Sequence, residues 1–262
     1  MLGLVDQPLV HQAVEDLAAG RDTRAKLLTA CKDPRSLLAA EPMRWHYDLR
    51  PEFIAMEEVP AVLPLFQQYA RILIAWGYSV WCGVLNTADY GLGQARRRAV
   101  LIASRVRRVG CPEATHYDPR KGDQLWGEPW VTMAEALGWG YTDRPAPTVT
   151  GGGTETGGAE PWSSTSRAAM RAAMKDRCHW AWRKPAPTVT GTVGHVGGKQ
   201  VGGHLNLSTV DAARLQGFPD GYRFQGNKGQ VSLQIGNAMP PPLADVVLTV
   251  AAGQPNRLAV AA

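Results

Sequence analysis

The chain has few cysteines and no long hydrophobic run. Its 262 residues include 4 cysteines, none in a CxxC pair, so a disulfide framework is not indicated. One metal set is conceivable, although its spacing fits no standard zinc pattern: Cys111, His116, Cys178 and His179. No apolar stretch reaches the length of a membrane span, and the early polar residues differ from a signal peptide. These absences predict a cytoplasmic protein with free thiols, no metal site and no membrane partner.

Composition and charge favour a globular protein with a polyanionic partner. Hydrophobic residues make up 45% of the chain and charged residues 19%, which excludes a disordered polypeptide. The net charge is +5, and six arginines lie between residues 96 and 108 with no acid among them. Arg167, Arg171 and Lys175 recur every four residues, which gives either a basic stripe or a solvated helix face. The 9 tryptophans fit core packing better than stacking on nucleic-acid bases.

Alternating patterns in the first hundred residues predict an α/β fold. Residues 1–50 have helical patterns. The apolar run at 53–59 ends in carboxylates before a proline, as is typical of a buried parallel strand with a polar group at its C-terminal edge. Apolar residues at helical spacing predict a helix over 61–76, and strands follow at 78–85 and 99–104.

Capping signals near the C-terminus predict two helices and their turns. Ser208, with Asp211 three residues later, forms a capping box, so a helix should begin at Ser208. Gly217 suits a left-handed C-terminal cap. The Gly236-Asn237 pair predicts a turn, and the prolines at 240–242 either open a second helix or stay extended.

The region from about 106 to 205 is rich in Gly, Pro, Thr and Trp and contains a repeat. Residues 144–151 read RPAPTVTG, and residues 184–191 read KPAPTVTG. Each copy joins a rigid proline lead-in to a β-prone Thr-Val-Thr and a glycine exit. Two copies are too few for a solenoid, so the region is either a recognition surface or a linker of loops.

Four strings resemble motifs of the DNA cytosine-5 methyltransferase family, in that family's order. They are 51–60 (PEFIAMEEVP), 90–98 (YGLGQARRR, a Gln-x-Arg-x-Arg motif), 214–219 (RLQGFP) and 234–241 (QIGNAMPP). The resemblance implies an α/β fold, namely a partial doubly wound, Rossmann-like methyltransferase sheet with an inserted, loop-rich target-recognition domain. It implies a partial catalytic domain at 1–105, the recognition domain at 106–205, and a return to the catalytic domain at 206–262.

The same resemblance implies a reaction and its catalytic residues. The family transfers a methyl group from S-adenosylmethionine to carbon 5 of cytosine in duplex DNA. Glu57 matches the glutamate that contacts the target base and helps protonate it, while Glu58 replaces the family's asparagine. Arg96 and Arg98 match the arginines that contact the base carbonyl and the backbone. Alternation along a strand places Arg96 and Arg98 on one face.

DNA and cofactor contacts also follow from the resemblance. The methionine end of S-adenosylmethionine is expected against Gly236, Asn237 and Ala238, where loop amides and a helix start would favour its carboxylate. Guanidinium, ammonium and hydroxyl groups suit phosphate and base contacts. The residues expected to contact duplex DNA are Gln94, Arg97, Arg144, Thr148, Lys184, Thr188 and Arg214.

Two family motifs do not occur in the 262 residues. The family's nucleophile is a cysteine in a Pro-Cys dipeptide, and its cofactor loop is of the Phe-x-Gly-x-Gly type; neither string is present. We therefore expect the second part of a methyltransferase, whose first part lies in frame upstream, on a separate N-terminal subunit, or is lost. The alternatives are a non-catalytic DNA-binding protein derived from the family and a generic α/β protein with accidental matches.

Overall fold

A computed structural model describes residues 6–122, 124–138, 184–189, 195–198 and 203–253. The chain divides into two compact units. Unit 1 comprises Met1–Leu85, Arg98–Pro112 and Asp245–Ala262, and unit 2 comprises Asn86–Arg97 and Glu113–Ala244. This division differs from the expected domain bounds, because residues 206–244 group with the recognition segment.

The helices and strands follow each other in an α/β order over the described residues. In chain order they are α1 (Gln7–Ala18), α2 (Arg24–Leu27), α3 (Glu41–Leu49), β1 (Phe53–Glu58), α4 (Leu63–Ala75), β2 (Ser79–Asn86), β3 (Gln94–Ala95), β4 (Arg97–Ser104), β5 (His116–Tyr117), β6 (Glu128–Pro129), α5 (Met133–Ala136), β7 (Ala186–Pro187), β8 (His195–Gly198), β9 (Gly203–Asn206), α6 (Thr209–Leu215), α7 (Lys228–Asn237) and α8 (Pro241–Ala252). None of the helices in the described part of the chain is long and apolar enough to cross a bilayer.

The main sheet has three strands in the order β1-β4-β2. β1 pairs with β4 in antiparallel register, with Glu57 opposite Val100. The prediction of a buried parallel strand at 53–59 is therefore wrong in its pairing. Among the described residues β1 is a terminal strand, and its exposed positions include Phe53 and Ala55. Ile54 is buried between exposed Phe53 and Ala55, which is the burial pattern of a strand with one covered face.

One face of this sheet carries the core of unit 1. Ile54 on β1 and Leu101 on β4 belong to one buried cluster with Val14 of α1 and Leu73 of α4. Helix α4 was predicted from its apolar spacing, and that spacing places its buried residues on the side that packs in this cluster. Val100 and its neighbours at even positions of β4 point to the other face of the sheet.

The C-terminal helices largely follow their capping signals. Ser208 is the N-cap of α6, and its side chain accepts a hydrogen bond from the Asp211 N–H. Gly217 has a φ of 77°, as predicted for a left-handed cap. The predicted turn at Gly236-Asn237 is wrong, because both residues are the last turn of α7. The proline run does open a helix, since α8 begins at Pro241.

Unit 2 contains a second buried core and short strand pairs. Its cluster joins Met133 of α5, Leu215 of α6 and Ile235 of α7 with Val189. β3 pairs with β7 and β5 with β6, both in parallel, whereas β8 and β9 are antiparallel. The described part of the second repeat copy, residues 184–189, therefore pairs with the segment that holds Gln94.

Candidate functional site

A half-buried ion pair in unit 1 involves two of the three predicted catalytic residues. Because Glu57 lies opposite Val100, Arg98 is its diagonal neighbour on the same sheet face. Arg98 Nε lies 2.7 Å from Glu57 Oε1. The side chains are 14% and 21% exposed, so both charges are partly withdrawn from water yet open to a ligand. Glu58 is on the opposite face and exposed, and its carboxylate accepts a hydrogen bond from the Val59 N–H.

Gln94 lies at the centre of a buried polar network in unit 2. Its side chain has 0% exposure. Its Nε2 donates to the Leu215 carbonyl at 3.1 Å, and its Oε1 accepts from the Val189 N–H at 3.1 Å. A buried amide whose two ends hydrogen-bond to main chain holds segments together. This burial argues against the direct DNA contact that was expected of Gln94.

Arg96 belongs to the same network. It is 2% exposed, its Nη1 donates to the Val189 carbonyl at 3.3 Å, and its Nη2 donates to the Ala238 carbonyl at 3.2 Å. The main chain of Arg96 is fixed as well, because its N–H donates to Thr87 Oγ1 at 3.0 Å. The guanidinium thus joins the repeat segment to the end of α7, a placement that differs from the base contact implied by the resemblance.

The expected cofactor residues lie at the C-terminal end of α7. Gly236 is buried, Asn237 is exposed and Ala238 is intermediate in exposure. A helix C-terminus presents carbonyl groups and the negative end of the helix dipole. This end favours a cationic group, whereas the start of α8 at Pro241 would favour a carboxylate, so the expected cofactor contact stays a prediction.

Two of the expected DNA-contacting residues are basic and exposed in unit 2. Arg97 and Lys184 both have exposed side chains. Arg214 is half-exposed, and its Nε lies 2.9 Å from Asp220 Oδ1. Exposed cations of this kind attract phosphate groups.

The remaining expected DNA contacts lie partly within and partly outside the described residues. Thr188 is partly buried, and its hydroxyl donates to the Ala95 carbonyl at 3.3 Å. Arg144 and Thr148, in the first copy of the repeat, lie outside the described residues. The basic stripe at Arg167, Arg171 and Lys175 also lies outside them, so it stays a prediction.

The described cysteines are not activated thiols. Desolvation raises the pKa of the thiols of Cys31, Cys82 and Cys111. A thiol nucleophile needs a lowered pKa, because the thiolate is the reactive form. Cys178 lies outside the described residues. Within the described ranges no group of three or more His, Cys, Asp or Glu side chains is placed to hold a metal ion.

Gln216 was missed by the sequence reasoning. It is 0% exposed, its Nε2 donates to the Ile235 carbonyl at 2.6 Å, and its Oε1 accepts from Gln94 Nε2 at 3.3 Å. The sequence signal for a buried Gln216 is its position between the core residue Leu215 and Gly217, the glycine of the left-handed cap that ends α6. In unit 2 these amides bring the second repeat copy, the RLQGFP string and the QIGNAMPP string together with Gln94 and Arg96.

Comparisons with known proteins agree with the motifs. A family model described as C-5 cytosine-specific DNA methylase matches residues 25–251. The chain is 29% identical to Type II methyltransferase M.NaeI of Lentzea aerocolonigenes over 262 residues, covering 92% of this chain and 59% of the relative. It is 27% identical to Type II methyltransferase M.BsuRI of Bacillus subtilis over 241 residues, covering 82% of this chain and 52% of the relative. The chain therefore spans only a little over half the length of these relatives.

A solved structure supports the fold. The Dnmt2 methyltransferase of S. pombe aligns with a TM-score of 0.51 and 15% identity, over 83% of this chain and 72% of that chain. That similarity agrees with an α/β fold of the Rossmann-like methyltransferase type. Because the family model matches most of its length, the chain belongs to the C-5 cytosine-specific DNA methylase family.

Proposed function

We propose that this chain takes part in methyl transfer from S-adenosylmethionine to carbon 5 of cytosine in duplex DNA. Family membership supports the reaction class. The observation that supports the site is the Glu57–Arg98 pair, with 2.7 Å between the guanidinium and the carboxylate. The pair offers a half-buried, hydrogen-bonding carboxylate beside a cation, which is the chemistry that cytosine recognition requires.

Glu57 and Arg98 have distinct roles in this proposal. The target cytosine must leave the base stack, because carbons 5 and 6 cannot be reached inside a paired helix. Glu57 then accepts a hydrogen bond from the exocyclic amine and shares a proton with the ring nitrogen. Arg98 orients Glu57 and places positive charge near the base carbonyl. Charge that develops on the ring is thereby stabilised by groups already in position.

The nucleophile comes from outside this sequence. A thiolate adds to carbon 6, which makes carbon 5 nucleophilic and able to take the methyl group. A base or water then takes the carbon 5 proton, and the carbon 6–sulfur bond breaks to release the thiolate and restore the ring. The raised pKa of the three described thiols favours their protonated form and argues against this role for Cys31, Cys82 and Cys111. We infer that a Pro-Cys segment supplied in frame or by a separate N-terminal subunit completes the site.

S-adenosylmethionine supplies an electrophilic methyl group when bound. The C-terminal end of α7 would suit its cationic part, because the helix dipole is negative there. The exposed amide of Asn237 adds a donor and an acceptor at that end. Gly236, Asn237 and Ala238 would therefore hold the methionine end of this cofactor.

Methyl transfer to duplex DNA tests the proposed site. The full chain is mixed with an N-terminal methyltransferase fragment that carries Pro-Cys and the cofactor loop, and labelled methyl groups in DNA are counted. Glu57→Ala and Arg98→Ala should each lower the rate by about 100-fold or more, the range of a lost general acid–base group. Glu58→Ala is the matched control and should keep activity, because Glu58 is exposed on the opposite face of β1.

The same assay distinguishes the proposed methyltransferase from a non-catalytic DNA-binding protein. Equal rates for Glu57→Ala and wild type would refute the role of Glu57. A wild-type chain that binds duplex DNA with strong salt dependence, yet gives no transfer with any competent fragment, would favour a non-catalytic DNA-binding protein.

A further inference from the structure

An open pocket in unit 2 is not used by the proposed reaction. It has a volume of about 150 Å³ and lies between α6, the loop at 218–224 and the first turn of α7. The residues that form its apolar wall and rim are Val210, Ala213, Arg214, Phe218, Tyr222 and Phe224. A cavity of about 150 Å³ with apolar walls accommodates one benzene ring, so the pocket has room for one flat ring.

Three aromatic rings form one side of the pocket. The centroids of Phe218 and Tyr222 are 4.9 Å apart, those of Phe218 and Phe224 are 5.0 Å apart, and those of Tyr222 and Phe224 are 4.7 Å apart. Tyr222 nevertheless stays 53% exposed and Val210 54% exposed. Burying such surface is favourable, so the rings offer stacking area to a ligand.

The loop that carries these rings is held in place before any ligand binds. The Tyr222 N–H donates to the Pro219 carbonyl at 3.1 Å, and Gln234 Nε2 donates to the Gln225 carbonyl at 2.6 Å. Phe224 also packs against the buried core of unit 2. A preformed site loses little conformational entropy on binding.

The charges around the pocket favour a polyanion. Arg214 is on its wall, Arg223 lies between two of the aromatic residues, and Lys228 is one helical turn before the lining residue Val231. The exposed acid Asp220 also lines the pocket, and its carboxylate pairs with Arg214 at 2.9 Å. Three cations against this one exposed carboxylate suit a phosphate backbone better than an acidic or neutral peptide.

We propose that this pocket binds one unstacked base of a DNA strand, with its ring against Tyr222 and the adjacent phosphates beside Arg214 and Arg223. Aromatic stacking with flanking cations is the usual way in which proteins hold bases outside a helix. The site is separate from the Glu57–Arg98 pair in its residues and its chemistry. It rests on the proposed DNA substrate, and it requires no methyl transfer.

Binding to a ten-thymidine oligonucleotide measures this site directly, by fluorescence anisotropy with the full chain. Tyr222→Ala should weaken binding by about 10-fold or more, since one stacked base contributes a factor in that range. Tyr222→Phe keeps the ring and should bind like wild type. Trp126→Ala is the matched control, because Trp126 is an aromatic residue of unit 2 with the same 53% exposure and does not line the pocket.

Crosslinking locates the base. An oligonucleotide with 5-iodouracil, irradiated on the chain, should crosslink to Phe218, Tyr222 or Phe224. The pocket proposal would be overturned by crosslinks confined to other residues, or by an unchanged affinity of Tyr222→Ala for the oligonucleotide. Neither result would contradict the proposal that DNA is the substrate. A wild-type chain that binds neither the oligonucleotide nor duplex DNA would overturn both. Thermal melting of each variant separates lost stacking from lost folding.

Discussion

His46 makes the stability of unit 1 sensitive to acid. The side chain is 7% exposed and packs edge-on against Tyr69, with ring centroids 5.9 Å apart. Desolvation lowers its pKa from 6.5 to about 4. The folded protein therefore holds the neutral imidazole, whereas the unfolded chain binds a proton near pH 6.5. The stabilising contribution is complete above about pH 6.5 and is lost as the pH falls towards about 4.

Urea unfolding at several pH values tests this dependence. Between pH 7.5 and pH 4 the histidine should cost about 3 kcal/mol of unfolding free energy, from 1.36 kcal/mol per pKa unit. His46→Leu replaces the imidazole with an apolar side chain, so its profile should be flatter over the same interval. Parallel profiles for wild type and variant would show that another group causes the acid sensitivity.

Neighbouring residues of the 90–98 motif differ in burial, although the sequence predicts DNA or base contacts for all of them. The Gln-x-Arg-x-Arg string predicted one set of DNA and base contacts, but Gln94 and Arg96 are buried in a main-chain network, whereas Arg97 is exposed. Residue type could not predict this difference, because guanidinium and amide groups suit a phosphate and a main-chain carbonyl equally well. Which acceptor is used depends on partners about a hundred residues away, such as Leu215 and Val189.

The cap of α6 depends on a glycine for two separate reasons. Gly217 has a φ of 77°, and a Cβ there would lie 2.7 Å from Pro242 Cδ. Gly221 has a similar φ of 81° with nothing within 4 Å of a Cβ. Gly221→Ala should therefore cost about 1–2 kcal/mol from the left-handed backbone alone. Gly217→Ala should cost more, because it adds overpacking against the start of α8.

Chemical denaturation of the two variants separates the two costs. The difference in unfolding free energy between Gly217→Ala and Gly221→Ala measures the contact with Pro242. Equal losses would mean that Pro242 moves aside freely and that only the backbone conformation matters at this cap.

Local sequence signals predicted most helices and strands. They failed where contacts with residues distant in the sequence determine the conformation. Ser208, Gly217 and Pro241 act within a few residues of the chain, so their caps and starts were predictable. The pair Gly236-Asn237 favours a turn in isolation, yet packing of Ile235 in the core of unit 2 continues α7 through both. Tertiary packing commonly overrides such propensities.

The direction of strand pairing could not be predicted from the sequence for a similar reason. The run at 53–59 predicted a strand correctly, and its side-chain alternation is the same in parallel and antiparallel pairs. Its partner β4 lies about forty residues later and runs in the opposite direction. The ion pair between Glu57 and Arg98 depends on that register, so the candidate residues were predictable and their contact was not.

The terminal position of β1 predicts that the chain associates with itself when no partner is supplied. β1 has one neighbouring strand among the described residues, and exposed Phe53 and Ala55 lie along it. An exposed strand edge with apolar side chains is a template for pairing with another chain. We therefore expect oligomers or poor solubility at micromolar concentration, which light scattering after size-exclusion chromatography measures.

A charge on β1 should reverse that association. Ala55→Lys places a cation on the edge strand, which natural proteins use to prevent pairing between edges, so this variant should shift towards monomer. Leu248→Lys is the matched control: Leu248 is a 55% exposed apolar residue on a helix, α8, rather than on a strand, and its replacement should leave the oligomeric state unchanged. A wild-type chain that is a monodisperse monomer with a cooperative thermal transition would contradict the role of β1 as an open edge. If both variants dissociate equally, association depends on general surface apolarity rather than on the open edge of β1.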